Sequence, residues 1–76
     1  MGSGKTYAAL VGATLKRLRK ARRLSQTAVA TRLGITQSLV CRTEQGVVPL
    51  TVDRLAEYAA LLQIPASEIL RAADTR

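Results

Sequence analysis

The sequence predicts an all-α fold of five short helices, and three observations carry this prediction. Apolar residues recur at helical spacing along the chain, and no segment alternates apolar and polar residues over the length of a strand. Glycine and proline divide the chain into short pieces. The 76 residues suffice for one small domain with one modest core.

The chain opens with GSGKT, which resembles the end of a phosphate-binding loop. The complete motif G-x-x-x-x-G-K-[ST] needs another glycine five residues before Gly4, and a strand leading into the loop. That glycine would have to precede Met1, and no strand pattern lies near the motif. We therefore expect residues 1–9 to be a flexible N-terminal arm or a vector-derived start, and residues 10–76 to form the folded domain.

The first helix is predicted over residues 10–23. Val11, Leu15 and Leu18 recur at helical spacing and form an apolar stripe. The opposite side of this helix carries basic side chains: Lys16, Arg17, Lys20 and Arg23.

Two very short helices follow. Ser25 suits the N-cap of the second helix and Gly34 suits the left-handed position after it. Thr36 and Gly46 repeat this pattern around the third helix. Helices of this length are marginal alone, so tertiary packing must hold them, and a turn of three to four residues containing glycine is typical of a helix-turn-helix. Helix lengths alone leave a generic small helical bundle as the alternative.

The last two helices follow a segment that Pro49 keeps out of helical geometry. Thr51 can cap the fourth helix, VDRLAEYAALL, and Pro65 stands at or just before the start of the fifth. The fifth helix carries the apolar residues Ile69 and Leu70. The fourth has a predicted apolar stripe of Val52, Leu55, Ala59 and Leu62.

The composition excludes several classes of function. One cysteine and no histidine rule out a disulfide framework and an ordinary zinc site, so we expect no metal and no cofactor. No apolar run is long enough to span a membrane, and we expect a cytoplasmic protein without a membrane partner. The carboxylates are few, four of the five lie in the last two helices, and Cys41 has no base near it in the sequence. We therefore do not expect an enzyme.

Charge is distributed very unevenly along the chain, which carries a net +7. Residues 1–43 contain nine Lys or Arg residues and no acid, whereas residues 44–76 contain three Arg and all five acids. The two parts therefore carry +9 and −2. Such a basic half predicts a face that meets a polyanion, with nucleic acid favoured over a membrane surface.

The third helix has an outward polar face. On a helical wheel, Leu39, Val40 and Thr43 lie opposite an arc of polar side chains. Side chains of these kinds read base edges and phosphates in the major groove. The arc comprises Gln37, Ser38, Cys41, Arg42 and Gln45.

Arg19 lies close to the apolar stripe of the first helix and needs an anionic partner there. No acid precedes Glu44, which lies at the inner edge of the third helix on the same wheel. We infer an Arg19–Glu44 ion pair between the two helices. The alternative is that Arg19 extends to solvent and Glu44 only balances a basic region.

The run LRKARRLSQTAVATRLGITQSLVCRTEQG resembles the Cro and phage-repressor type of helix-turn-helix, also called the XRE family, and the resemblance covers residues 10–72. It implies a five-helix lambda-repressor-like bundle whose third helix enters the major groove. It also implies that the Arg–Glu ion pair of that family is formed here by Arg19 and Glu44. On this basis residues 10–76 are expected to be a DNA-binding domain.

The resemblance implies a set of DNA-contacting residues. Bases would be read by Gln37, Ser38 and Arg42, with Cys41 at the edge of the same surface. Phosphates would be bound by Gln26 and Thr36 at two helix N-termini, and by Arg22, Arg23 and Gln45.

Four positions depart from the family pattern. Arg23 and Gln63 stand where glycine is common, which predicts strained or altered turns. Thr43 occupies a position that is usually apolar, at some cost in stability. Ala28 replaces an acid that would complete a capping box.

Together these observations predict a transcriptional regulator that binds double-stranded DNA sequence-specifically. We expect a repressor or small controller protein that binds a palindromic operator as a homodimer and needs no small-molecule ligand. The alternative is an antitoxin that inhibits a toxin protein and also regulates its own operon. The apolar residues left over for the dimer interface are Leu61, Ile69 and Leu70.

Overall fold

The computed structural model describes residues 6–75, and these form five α-helices without a strand, which confirms the predicted all-α class. The residues of the GSGKT motif up to Lys5 lie outside the described part. No helix within residues 6–75 is long and apolar enough to cross a membrane. The helices are α1 (Tyr7–Ala21), α2 (Gln26–Leu33), α3 (Gln37–Gln45), α4 (Val52–Leu62) and α5 (Ala66–Asp74).

The first helix starts earlier than its sequence pattern predicts. Thr6 is the N-cap, and its Oγ1 accepts a hydrogen bond from Ala9 N at 3.0 Å. Residues 7–9 are therefore helical, which corrects the expected start at residue 10. The helix also ends two residues early, at Ala21, because Arg23 adopts a left-handed conformation.

The caps of the next three helices lie where the sequence predicts them. Ser25, Thr36 and Thr51 each accept a hydrogen bond at 3.0 Å from the backbone N–H three residues later. Gly34 and Gly46 end α2 and α3 in the left-handed region, with φ of 69° and 74°. The helix-turn-helix is therefore α2, the turn over residues 34–36, and α3.

Two turns are strained because a side chain occupies a position that favours glycine. Arg23 has φ 59° and Gln63 has φ 58°. An L-residue in this region costs roughly 1–2 kcal/mol. The fold therefore includes the altered α1–α2 and α4–α5 turns that the sequence predicts at these two positions.

The core lies where all five helices meet, and its largest fully buried side chains include Leu15, Tyr58, Leu62 and Ile69. Ile69 is 0% exposed, which excludes it from a dimer interface and corrects its sequence assignment. In α4, Val52 is 82% exposed, so it does not belong to the buried stripe that the sequence predicts for this helix. Tyr58 is buried in the core instead.

Helices α1 and α3 approach each other closely at Gly12. A Cβ atom on residue 12 would lie 2.4 Å from the carbonyl oxygen of Thr43 and 2.6 Å from that of Glu44. Only glycine permits this backbone contact. The contact sets the spacing at which α1 and α3 face each other.

Thr43 is buried as a polar residue but its hydroxyl is satisfied. Its Oγ1 donates to Leu39 O, one turn earlier, at 2.8 Å. The internal hydrogen bond reduces the desolvation penalty that the sequence predicts for a hydroxyl at this apolar position.

Candidate nucleic-acid interface

The outer face of α3 presents the side chains that the wheel assigns to it. Val40 and Thr43 are buried on the opposite face. Cys41 is half-buried, and its Sγ lies 3.6 Å from Gln45 Nε2. The exposed side chains of this face are Gln37, Ser38, Arg42 and Gln45.

Beneath this face, Arg19 and Glu44 form a buried ion pair. Arg19 Nε and Nη2 donate to Glu44 Oε2 and Oε1 at 2.6 and 3.1 Å. Arg19 Nη1 also donates to Leu24 O at 2.8 Å, which ties the start of the helix-turn-helix to α1. The hydrogen bond to Glu44 raises the pKa of Arg19. A bidentate pair of this kind holds both helices in fixed positions.

Gln26 connects this ion pair to the exposed surface. Its Nε2 donates to Glu44 Oε1 at 3.0 Å, and its Oε1 accepts from Gln37 Nε2 at 2.5 Å. The structure thus brings two predicted DNA-contacting residues together through their side chains. The amide oxygen of Gln26 is engaged within the protein, so the groups left to meet a phosphate are its backbone N–H and its second amide hydrogen.

Thr36 lies exposed at the N-terminus of α3. Its Oγ1 accepts the hydrogen bond from Leu39 N, so its hydroxyl hydrogen remains able to donate to an external acceptor. The first backbone N–H groups of a helix have no partner inside the helix. The N-terminal turn of α3 therefore offers several donors to one anionic group.

Lys16 is a residue that the sequence analysis did not assign to the site. A small cavity of about 70 Å³ is lined by Lys16, Gln26, Cys41, Glu44 and Gln45. Lys16 therefore lies beside the exposed face of α3, although the sequence pattern placed it only on a solvated side of α1. The sequence offered one indication of this location. Lys16 precedes Arg19 by three residues, so the two side chains are neighbours on one face of α1.

The two arginines of the α1–α2 turn lie in different surroundings from the α3 residues. Arg22 Nη1 donates to Gln63 Oε1 at 3.4 Å, so its guanidinium lies over the α4–α5 turn. Arg23 is exposed on the same turn. The structure does not bring these two side chains against α3.

The basic half of the domain is largely uncompensated. Within residues 6–75, ion pairs involve Arg19 with Glu44, and otherwise the arginines of α4 and α5. The remaining basic side chains of α1–α3 are exposed and have no ion-pair partner in the described part. They are Lys16, Arg17, Lys20, Arg22, Arg23, Arg32 and Arg42. Such a surface attracts a polyanion.

The remaining residues predicted for a dimer interface lie in two separate grooves. Leu61 lines a groove with Leu33 and Ala60, between Arg32 and Glu57. Leu70 lines a second groove, of about 350 Å³, whose other members are Tyr7, Ala8, Val11, Leu50, Thr51, Val52 and Leu55. The residues predicted for the dimer interface therefore do not lie together on one contact surface.

Comparisons with known proteins agree with this geometry. A family model described as a helix-turn-helix domain matches residues 10–72. The DNA-binding domain of BldD is 32% identical, with a TM-score of 0.75 over 91% of this chain and 97% of that one. The restriction-modification controller protein C.AhdI from Aeromonas hydrophila is 29% identical, with a TM-score of 0.77 over 82% of this chain and 94% of that one.

A third structure is similar in fold alone. The clp gene regulator ClgR from Corynebacterium glutamicum has a TM-score of 0.90 at 17% identity, over 93% of this chain and 76% of that one. No protein with a curated description matches the sequence significantly.

Proposed function

Since this chain belongs to the helix-turn-helix family of DNA-binding transcriptional regulators, we propose that it represses or controls transcription by binding a specific operator through α3. The observation that carries the proposal is the exposed polar face of α3, held from beneath by a buried ion pair and set in an uncompensated basic surface. The name of C.AhdI, a restriction-modification controller, supports the role of a small controller protein.

Base reading is assigned to the exposed side chains of α3. Arg42 matches the two major-groove acceptors of guanine, and Gln37 matches the donor and acceptor of adenine. Ser38 can donate or accept and so fits several bases. Cys41 is half-buried and lies at the edge of this surface, so it is assigned a peripheral role.

Phosphate binding is assigned to groups at the N-termini of α2 and α3 and to long side chains of α1, α3 and the α1–α2 turn. Thr36 contributes its hydroxyl and Gln26 its backbone N–H, each at a helix N-terminus. The longer side chains of the set supply charge or amide donors: Lys16, Arg22, Arg23 and Gln45. Each neutralised phosphate makes the fall of log K with log salt steeper by about 0.9. Arg22→Ala should therefore weaken binding to all DNA sequences alike and make this dependence shallower by about one.

A homodimer on a palindromic operator supplies the contact area that one short helix lacks. Two recognition helices would then read two half-sites about 34–36 Å apart, which is one turn of DNA. The groove around Leu70 suits an isologous contact, because Val52 projects beside it at 82% exposure. Each protomer can thus offer Val52 to the groove of its partner.

The dimer surface is tested by placing a charge in either groove. Leu70→Glu should shift the protein from dimer to monomer in light scattering and weaken operator binding. Leu61→Glu is the matched control, because Leu61 is also a half-buried leucine but lines the other groove. Dissociation by the control variant alone would reassign the interface to the Leu61 groove. A monomer at high concentration, with one protein per operator, would contradict the dimer.

Selection of bound duplexes from a random pool at defined salt tests the function itself. We expect a palindromic consensus with two half-sites one helical turn apart. Recovery of sequences without any consensus would show that the basic surface binds DNA nonspecifically and would contradict the proposed function.

A further inference from the structure

The base read by Gln37 is determined from inside the protein: we propose that Glu44 sets the direction of a hydrogen-bond chain that runs through Gln26 to Gln37. This inference rests on the proposed function of α3 in reading DNA. It makes Glu44 a positioning residue for recognition as well as the partner of Arg19. The chain consists of three contacts between described side chains, from Arg19 to Glu44, from Glu44 to Gln26 and from Gln26 to Gln37.

The direction is fixed at the buried end of the chain. Arg19 donates twice to Glu44, through Nε at 2.6 Å and Nη2 at 3.1 Å, and a guanidinium has no acceptor. Its partner is the carboxylate of Glu44, which can only accept hydrogen bonds. Gln26 lies 3.0 Å from Glu44 Oε1, so it must turn its NH2 group, and not its oxygen, toward the ion pair.

This choice is transmitted through the planar amide. With its nitrogen on Glu44, Gln26 presents its oxygen on the other side, where it lies 2.5 Å from Gln37. Gln37 must therefore donate through its own Nε2. A free glutamine can rotate its amide and exchange oxygen for nitrogen, whereas Gln37 has one orientation that satisfies its neighbour.

The groups left on Gln37 then determine which base fits. One N–H is used on Gln26, and the second N–H and the oxygen remain for DNA. Adenine offers the complementary pair in the major groove, an acceptor at N7 and a donor at N6. Guanine offers two acceptors there, so its O6 would face the Gln37 oxygen. The chain thus favours adenine over guanine at one position of each half-site.

Reversing the direction of the hydrogen bond between residues 26 and 37 should reverse the base preference. The variant Gln26→Lys places an ammonium group between Glu44 and residue 37, and an ammonium can only donate. It still satisfies Glu44, but Gln37 must now turn its oxygen inward and its NH2 group toward DNA. Two outward hydrogens suit the two acceptors of guanine. Gln26 is half-buried and lines the cavity of about 70 Å³ beside α3, which gives the longer side chain room.

The test compares duplexes that carry each base pair at the position read by residue 37, identified as the one where Gln37→Ala loses its preference. Wild type should prefer adenine over guanine on the order of tenfold, and Gln26→Lys should prefer guanine by a similar factor. Gln26→Ala should reduce the discrimination at this position several-fold without moving the preference at the position read by Arg42. A merely structural role of the chain would not move the preferred base.

The double variant Gln26→Lys with Gln37→Ala is the control, because lysine can itself bind guanine. Loss of the guanine preference in this double variant supports the proposed hydrogen-bond chain. Persistence of the guanine preference overturns the proposal. An unchanged adenine preference in both Gln26→Lys and Gln26→Ala also overturns it. The preference at the Arg42 position separates the two proposals: if it persists in these variants, α3 reads DNA and only the chain fails, whereas the lack of any consensus defeats both.

Discussion

Gly12 of α1 and Glu44 of α3 are in direct backbone contact, so close that a Cβ atom on residue 12 would lie 2.6 Å from the Glu44 carbonyl oxygen. This contact brings the two helices close enough for Arg19 to reach the Glu44 carboxylate with two hydrogen bonds. Glu44 also holds Gln26, which contacts Gln37 on the exposed face. The packing of α1 on α3 therefore positions the surface that we propose reads DNA.

Gly12→Ala should destabilise the domain, because the added methyl group would meet backbone atoms that cannot move independently. Overpacking of this kind typically costs about 1–3 kcal/mol. Thermal unfolding would measure the loss. Gly34→Ala is the matched control, since no atom lies within 4 Å of its Cβ position and only its φ of 69° opposes the change. A smaller loss in Gly12→Ala than in the control would contradict the close contact.

Glu44→Ala should destabilise the fold strongly because it leaves Arg19 buried without an anion. Breaking one side of a buried pair costs about 3–5 kcal/mol. The double variant Arg19→Met with Glu44→Leu should recover much of this loss, since it removes both charges and keeps apolar volume. Denaturant unfolding of the three variants checks this. Wild-type stability in Glu44→Ala would show that the pair contributes nothing to the fold.

Replacing the two left-handed side chains by glycine should stabilise the domain. Arg23→Gly and Gln63→Gly each relieve a strain of roughly 1–2 kcal/mol, offset in part by the entropy of glycine in the unfolded chain. A net gain of about 1 kcal/mol corresponds to a rise in Tm of about 4–8 °C for a domain of this size. Arg23→Gly should in addition weaken nonspecific DNA binding, whereas Gln63→Gly should not. Equal effects on DNA would remove Arg23 from the phosphate contacts.

Tyr58 should make stability fall at alkaline pH. Its side chain is 1% exposed, its Oη has no hydrogen-bond partner within residues 6–75, and burial raises its pKa to about 12. In the unfolded chain the phenol ionises near pH 10, before the buried phenol of the folded protein does. Tyr58 therefore stabilises the fold fully below pH 10, and the free energy of unfolding decreases by roughly 2–3 kcal/mol as the pH rises toward 12. Tyr58→Phe should lack this part of the pH dependence. Parallel stability profiles of the two proteins would contradict the assignment.

Local signals in the sequence predicted most of the fold. Ser25, Thr36 and Thr51 are good N-caps, and Gly34 and Gly46 are good helix ends, because these residues satisfy backbone requirements that depend on a few neighbours. The start of α1 was not predicted correctly, because Thr6 follows a glycine-rich stretch, which is typical of irregular structure. Its cap is visible only once the helix is known to begin there.

Features that depend on tertiary contacts could not be predicted in the same way. In the short α5, periodicity marks Ile69 and Leu70 equally, and only packing shows that Ile69 faces the core. The contact of Gly12 with α3 has no local signature. The wheel placed Glu44 at the inner edge of α3, but it gave no indication that Gln26 bridges Glu44 and Gln37.

The ratio of two dissociation constants measures whether α3 reads a specific DNA sequence. These are measured for the selected operator and for a random duplex of equal length at one salt concentration, with wild type and Arg42→Ala. We expect a wild-type preference on the order of 10³-fold or more, and a reduction of roughly tenfold in Arg42→Ala with nonspecific affinity nearly unchanged. Equal affinity of the wild type for both duplexes would contradict sequence-specific reading by α3.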